Sequence, residues 1–347
     1  MSTARSFRWL VVACACLTFV VVVVGAYVRL SDAGLGCPDW PGCYGKLTPA
    51  DAKAHIERAV EAQGGDHGPV SLHKAWKEMG HRYLAGFLGL MILAIAAFAW
   101  ARRARLGQSP WLATSIVLVV GFQATLGKWT VTMLLKPAIV TAHLIGGMTT
   151  LALLAWLAMR QVGLKKSIDE AQVRAGHGLA RVALVVLCLQ IVLGGWVSTN
   201  YAALACPDLP LCRGAAVPSM DFGNAFHVVR ELGMTPDGDL LPGDALVAIH
   251  WTHRMFALLV VATLGALAWR LSRTTGARIA GLALFGLLAL QFLLGLANVA
   301  FGLPLALAAA HNAGAALLLV ALVVINYVTF HGLALHASAA RKPDPSA

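Results

Sequence analysis

Four histidines carry the chemistry this sequence offers. His81 and His253 are each followed by arginine, in EMGHR (78–82) and IHWTHR (249–254), while His143 and His311 close IVTAH (139–143) and AAAH (308–311). All four adjoin long apolar runs, where an ionisable side chain costs on the order of 2.5–3.5 kcal/mol when charged. Two neutral imidazoles facing one another in an apolar bundle suit bis-axial ligation of a haem iron. A proton relay or a transport path would use the same residue type, and a lone histidine would read as packing; four in duplicated register favour haem. Zinc would want more ligands per half than two histidines. Arg82 and Arg254 stand beside ligand candidates where anionic propionates could pair with them, with Arg29, Lys128 and Arg213 as further cations. Glu78 precedes His81 by three residues, and the matching position before His253 is His250. A carboxylate at one site and an imidazole at the other would give the sites different proton chemistry. Glu78 also reads as an interfacial residue paired with Lys74, Lys77 or Arg82.

What must hold these residues is a membrane bundle. Of 347 residues, 12% are charged and 59% hydrophobic, against roughly 25% charged in ordinary globular chains, too few to coat a water-facing surface. The formal charge of +11 falls in short blocks between apolar runs, which fits membrane topology and excludes a nucleic-acid partner. Runs of about 20 apolar residues, the length that crosses a ~30 Å hydrocarbon core, lie at 9–28, 83–101, 111–130, 138–159, 182–200, 248–269, 279–299 and 305–330. They are continuous and lack the alternation of barrel strands, so an all-α integral membrane protein of eight transmembrane helices is expected. On these bounds His81 and His253 open the second and sixth spans, and His143 and His311 lie a few residues inside the fourth and eighth.

The chain also repeats itself. GAYVRLSDAGLGCPDWPGCYG (25–45) aligns with GGWVSTNYAALACPDLPLCRG (194–214) at an offset of 169, setting Cys37 over Cys206 and Cys43 over Cys212. His81-Arg82 over His253-Arg254 follows at 172, and Gln123, Gly127 and His143 over Gln291, Gly295 and His311 at 168. A four-helix unit is therefore written twice, in residues 1–165 and 166–347. Because four is even, both copies enter the membrane from one side, and two tandem four-helix bundles related by a pseudo-two-fold axis along the membrane normal are expected.

Positive residues orient the bundle. With the N-terminus cytoplasmic, the inner segments hold Arg5, Arg8, Arg102, Arg103, Arg105, Arg160, Lys165, Lys166, Arg174, Arg181, Arg270, Arg273, Arg278, Arg341 and Lys342, against the acids Asp169, Glu170 and Asp344. Both termini are then cytoplasmic, and two long loops, roughly 29–80 and 201–247, face outside. Eight residues precede the first span, which leaves no length for a transit peptide, and no Ala-x-Ala site follows it. A bacterial inner membrane without cleavage is the expectation.

The outer loops carry CPDWPGC and CPDLPLC. An oxidising compartment would permit one disulfide in each, Cys37 with Cys43 and Cys206 with Cys212, as a staple over the bundle or as a redox element; a four-cysteine metal site is the remaining alternative. Cys14, Cys16 and Cys188 read as small packing residues within spans. TPADAKAHIERAVEAQ reads as an outer helix capped by Thr48, with Pro49 in its first turn and Asp51 complementing its positive end. His55 reads as solvated, and spacing reveals no partner for His67 or His73. Gly146, Gly147 and Gly314, just after His143 and His311, either clear room for a flat macrocycle or serve close helix packing.

With EMGHR, IHWTHR, IVTAH, AAAH, GAYVRLSDAGLGC and the paired cysteine loops assembled, the chain resembles the haem A synthase family over nearly its whole length. That resemblance implies an oxidoreductase acting on a CH group: the C8 methyl of haem O becomes the formyl of haem A, water supplying oxygen, for cytochrome oxidase. It implies that His81 and His143 bind substrate haem O, with Arg82 nearby and Glu78 moving protons or stabilising positive charge. His253 and His311, with Arg254, would hold a haem B cofactor. Expected partners are the lipid bilayer, haem O synthase and a membrane electron acceptor, with a homo-oligomer left open. A di-haem electron-transfer cytochrome, or a transporter rocking about a central site, would use the same duplicated helices.

Overall fold

A computed structural model describes residues 3–65, 67–161 and 170–340, the side chains of 170–176 and 331–340 excepted. Lys165, Lys166, Asp169, Arg341, Lys342 and Asp344 lie outside the described residues, as do the side chains of Glu170 and Arg174. The described chain is all helix and loop, its β-contacts confined to isolated bridges.

Eight helices are long and apolar enough to cross a membrane. In chain order they are Thr3–Leu30, Leu72–Ala101, Trp111–Thr132, Pro137–Arg160, Glu170–Thr199, Gly243–Ser272, Arg278–Ala300 and Leu305–Ala340. The apolar windows locate each of them, but the fifth begins at Glu170, well before its window at 182, and the second and sixth also begin before theirs. Hydropathy finds the part of a helix that lipid touches, whereas these two continue outward into polar turns beneath the loops. Ser71 starts the second by accepting from Lys74 N–H at 3.2 Å. His81 therefore sits nine residues after Leu72, about two and a half turns inside the helix, and not at its opening as the apolar window implied; His253 is likewise ten residues after Gly243.

The first four helices close a ring in which sequence neighbours pack and the fourth returns to the first; the last four repeat it. The rings join where the first meets the eighth and the fourth meets both the fifth and the eighth. Raising every helix number in these contacts by four, cyclically, returns the same set. Each ring has its own apolar core: Phe7, Val11, Ile92, Ile95, Ile116 and Leu154 in the first, and Leu264, Leu267, Leu284, Leu288 and Leu322 in the second. Leu90, Leu118, Phe122, Leu258, Ile279 and Leu293 stay exposed around the outside. Such an apolar girdle fits lipid, and the chain is a multi-pass membrane protein. Cys14 is buried as expected, but Cys16 and Cys188 lie on the outward faces; a helix immersed in lipid can carry a small apolar side chain on either side.

Both outer loops fold tightly onto the bundle. Cys37 is bonded to Cys43 and Cys206 to Cys212, each pair at the centre of a small buried cluster, with Ile56, Ala75 and Met79 around the first and Val247 and Trp251 around the second. The outer helix starts later than its sequence suggests, at Lys53–Ala62. Thr48 closes the turn before it instead, its hydroxyl donating to Asp51 Oδ2 at 2.6 Å and accepting from Asp51 N–H at 3.2 Å. Ser, Thr and Asp satisfy turns as readily as helix starts, which is why the pattern misplaced the cap.

Candidate functional site

The ring geometry sets the four histidines in place. His81 and His143 come from the second and fourth helices, which are diagonal in the first ring, and His253 and His311 from the sixth and eighth, diagonal in the second. Side chains turned inward from diagonal helices face each other across the core, and each pair stands within electrostatic reach. The four residues are half-buried, and Nδ1 of His81, His143 and His311 is enclosed with no hydrogen-bond partner among the described residues.

A glycine lies against each ring. A Cβ at Gly25 would stand 2.9 Å from His81 Cε1, at Gly127 3.1 Å from His143 Cε1, at Gly194 3.1 Å from His253 Cε1, and at Gly295 3.2 Å from His311 Cε1. The four form two pairs at the repeat offsets, Gly25 with Gly194 and Gly127 with Gly295. Missing side chains thus let neighbouring helices close over the imidazoles and fix their planes. Gly146 and Gly314 make room for a different side chain, since a Cβ there would collide with the amide oxygens of Gln123 and Gln291. Gln123 donates to the His143 carbonyl at 2.5 Å, and Gln291 Nε2 lies 3.3 Å from His311 Nε2. Both glutamines appear in the repeat alignment, but only the packing reveals what they hold.

Outside the histidines, each half ties its cysteine loop to the histidine helix. In the first, Glu78 Oε2 accepts from Cys37 N–H at 2.9 Å and Glu78 Oε1 from Arg82 Nη2 at 2.5 Å. Arg82 Nη1 also donates to the carbonyls of Asp39 (2.7 Å) and Gly42 (2.6 Å). In the second, His250 Nδ1 accepts from Cys206 N–H at 3.3 Å and Arg254 Nε lies 3.2 Å from His250 Nε2. Arg254 donates to the carbonyls of Cys206 (2.5 Å), Asp208 (2.9 Å) and Leu211 (3.0 Å). The arginines next to the histidines are therefore bound to loop backbone. Glu78 and His250 are both only 4% exposed.

Inside the loops an aspartate gathers backbone N–H groups: Asp39 from Tyr44 and Gly45 (2.5 and 2.7 Å), Asp208 from Arg213 and Gly214 (2.6 and 2.8 Å). The N–H of Gly214 is the main reason the Asp208 carboxyl stays below the usual carboxylate range. Burial, then the charge of Asp39, pushes the Tyr44 phenol up.

Arg29 and Arg213 serve as ties as well. Arg29 Nη2 donates to the Ser198 carbonyl at 2.9 Å and its guanidinium lies 4.0 Å above the Tyr201 ring. Tyr201 donates to Asp32 Oδ1 at 2.9 Å. Arg29 and Ser198, like Asp32 and Tyr201, are 169 apart, so repeat-equivalent positions touch across the junction between the halves. Arg213 donates to the Ala205 carbonyl at 3.3 Å. His55 contacts Arg58 at 2.9 Å, and His67 lines an outer cleft with Arg29, Lys74 and Tyr201.

The donor set is compatible with haem. Among the described residues no three of His, Cys, Asp and Glu gather as ligands for a bare metal ion. Two imidazoles per half suit an iron whose other four nitrogens come from a macrocycle. The enclosed Nδ1 atoms of His81, His143 and His311 have no partner among the described residues, while the amides of Gln190 and Gln291 stand 3.2 and 3.3 Å from ring nitrogens of His253 and His311.

Comparison with known proteins places the chain in a family. Residues 7–323 match the model of COX15-CtaA, a cytochrome oxidase assembly protein. A heme A synthase of Shewanella oneidensis is 42% identical over 93% of this chain and 96% of its own length. Heme A synthases of a Methylobacterium species (30% identical, 90% of this chain and 88% of theirs) and a Caulobacter species (28%, 90% and 92%) are also similar.

Proposed function

The chain belongs to the COX15-CtaA family of cytochrome oxidase assembly proteins, and from that premise we propose that it converts haem O to haem A. The reaction takes the C8 methyl group to a formyl group. With water as the oxygen source it consumes one water and releases four electrons and four protons. Haem O is the substrate, bound in the first half by His81 and His143. Haem B is the resident cofactor, bound in the second half by His253 and His311, where it supplies one-electron redox chemistry.

The observation that carries this reading is the paired, glycine-packed imidazoles on diagonal helices, present twice but flanked by a buried carboxylate only once. Gly25 and Gly127 hold the first pair of rings in fixed planes. Glu78, one turn before His81, is the buried carboxylate that can take up or shield the positive charge of released protons, held in place by Cys37 N–H and Arg82. The disulfide loop is tied to this end of the helix through Cys37 N–H and Arg82. A di-haem electron-transfer cytochrome would use the same four ligands but gives no reason for this difference.

The two rings are related by a pseudo-two-fold axis along the membrane normal, passing where the fourth and eighth helices meet. Both termini lie in the cytoplasm and the disulfide loops outside a bacterial inner membrane, with haem O synthase and a membrane electron acceptor as working partners. Haems extracted from a host that lacks haem A but makes haem O, then identified by mass spectrometry, test the proposal. Haem A forms with this chain and not with His81→Ala. Haem B alone, with haem O accumulating beside well-expressed protein, would refute it.

A further inference from the structure

The two loop ties are built alike but differ in formal charge. Arg82 matches Arg254 and Asp39 matches Asp208, with the same backbone contacts in each half. The third member changes from Glu78 to His250, both 4% exposed. Glu78 forms an ion pair with Arg82 at 2.5 Å, so with Asp39 the tie beside His81 carries a formal charge of −1. At the other site the His250 imidazole brings no negative charge, so Arg254 and Asp208 leave the tie beside His253 neutral, one unit more positive than the first.

Other differences close to the rings are between uncharged groups, such as Gln190 for Val21, Asn298 for Thr130 and Asn312 for Leu144. Lys77 and Lys128 of the first half face apolar counterparts, Ile249 and Leu296. Lys128 is exposed and Lys77 lies over the Tyr27 ring, so solvent screens them more than the enclosed tie.

We propose that the exchange of Glu78 for His250 separates the reduction potentials of the two sites, the second-half haem being the higher. The inference rests on the haem reading above and deepens it. A buried carboxylate one turn from His81 would stabilise the oxidised, more positive iron, and the tie beside His253, which lacks that negative charge, would not. An electron released by oxidation in the first half is then taken up by ferric haem in the second. One protein fold, duplicated, acquires a direction of electron flow from a single side-chain replacement.

Spectroelectrochemical titration of the purified, haem-loaded protein tests this without reference to turnover. His250→Glu lowers the midpoint of the second-half haem, His250→Gln leaves it near the original value, and Glu78→Gln raises the first-half midpoint. His250→Glu recreates a partnership that Arg82 already makes, and Glu78→Gln provides a second route should that variant fold poorly. Unmoved midpoints in both charge-changing variants, with haem content intact and lost on His253→Ala, would overturn the charge inference and leave the haem assignment standing. Haem retained undiminished in His81→Ala and His253→Ala would overturn both.

Discussion

The two halves use one plan for unequal ends. Diagonal histidines, a glycine against each ring, a glutamine beside the outgoing helix and an arginine bound to a disulfide loop occur in both. The differences lie close beside these shared features: Glu78 against His250, and Val21 against Gln190, whose amide donates to the His253 carbonyl at 3.1 Å. Duplication has fixed what positions the rings and released what surrounds them. Functional asymmetry can therefore be sought by aligning the molecule with itself, and the most direct tests change one half into the other.

The largest effect is expected at the ligands. His81→Ala or His143→Ala should remove the first-half haem and abolish haem A formation, and His253→Ala or His311→Ala should remove the second while haem O still binds unconverted. Haem content per protein, measured by difference spectroscopy and extraction, falls by about half in each variant. Loss of both haems from one single variant would show that the halves fold around their haems together.

Next come the arginines, where the comparison predicts unequal losses. Arg82→Ala strips a buried carboxylate of its counter-ion, a change that costs about 3–5 kcal/mol. Arg254→Ala leaves the carbonyls of Cys206, Asp208 and Leu211 without their donor, about 1–3 kcal/mol. The apparent Tm in detergent should fall further for the first. Equal shifts would mean that Glu78 is not held as an ion. The glycines rank below: alanine at Gly25 meets His81 Cε1 at 2.9 Å and at Gly194 meets His253 Cε1 at 3.1 Å. Overpacking of this kind costs ~1–3 kcal/mol. Both should shift the low-spin signals in electron paramagnetic resonance, Gly25→Ala more. Gln190→Val, which makes the second half resemble the first, removes the bond to the His253 carbonyl, worth ~1 kcal/mol, together with the amide's contacts to the His253 ring nitrogens at 3.2 and 3.4 Å, and should lower the apparent Tm slightly.

Much of this was legible in the residues because lipid and duplication both write long signals. Eight apolar runs became eight helices, and the offset of 168–172 brought His81, His143, His253, His311 and the cysteine pairs into register before any packing was known. The starts of the second and sixth helices escaped because their outer turns are polar and capped by loops, with no apolar window to mark them. The ring-facing roles of Gly25, Gly127, Gly194 and Gly295 escaped for another reason. A glycine in an apolar helix has no side chain to declare a partner, and those placed next to the histidines in sequence, Gly146 and Gly314, accommodate glutamines instead. Gly127 and Gly295 stood in the repeat alignment, and that repetition was the available signal.

The smallest effect separates the two loops by acid. Asp208 is held below the usual carboxylate range chiefly by the N–H of Gly214. A group whose folded pKa is depressed contributes stability above its unfolded value, ordinarily about 3.9 for aspartate, and that contribution fades as pH falls through the folded value. Below about pH 4 the turn that closes Cys206–Cys212 should loosen, because a protonated carboxyl accepts less well from Arg213 and Gly214. A phosphine reductant that works in acid reads this as faster reduction of that disulfide. Asp208→Asn keeps one acceptor oxygen and should be reduced faster already at neutral pH, with the acid dependence gone. Cys37–Cys43, closed by Asp39 in the same manner but additionally covered by Ile56 and Met79, should remain the slower of the two across the titration; a faster first loop would mean that the extra cover does not protect it.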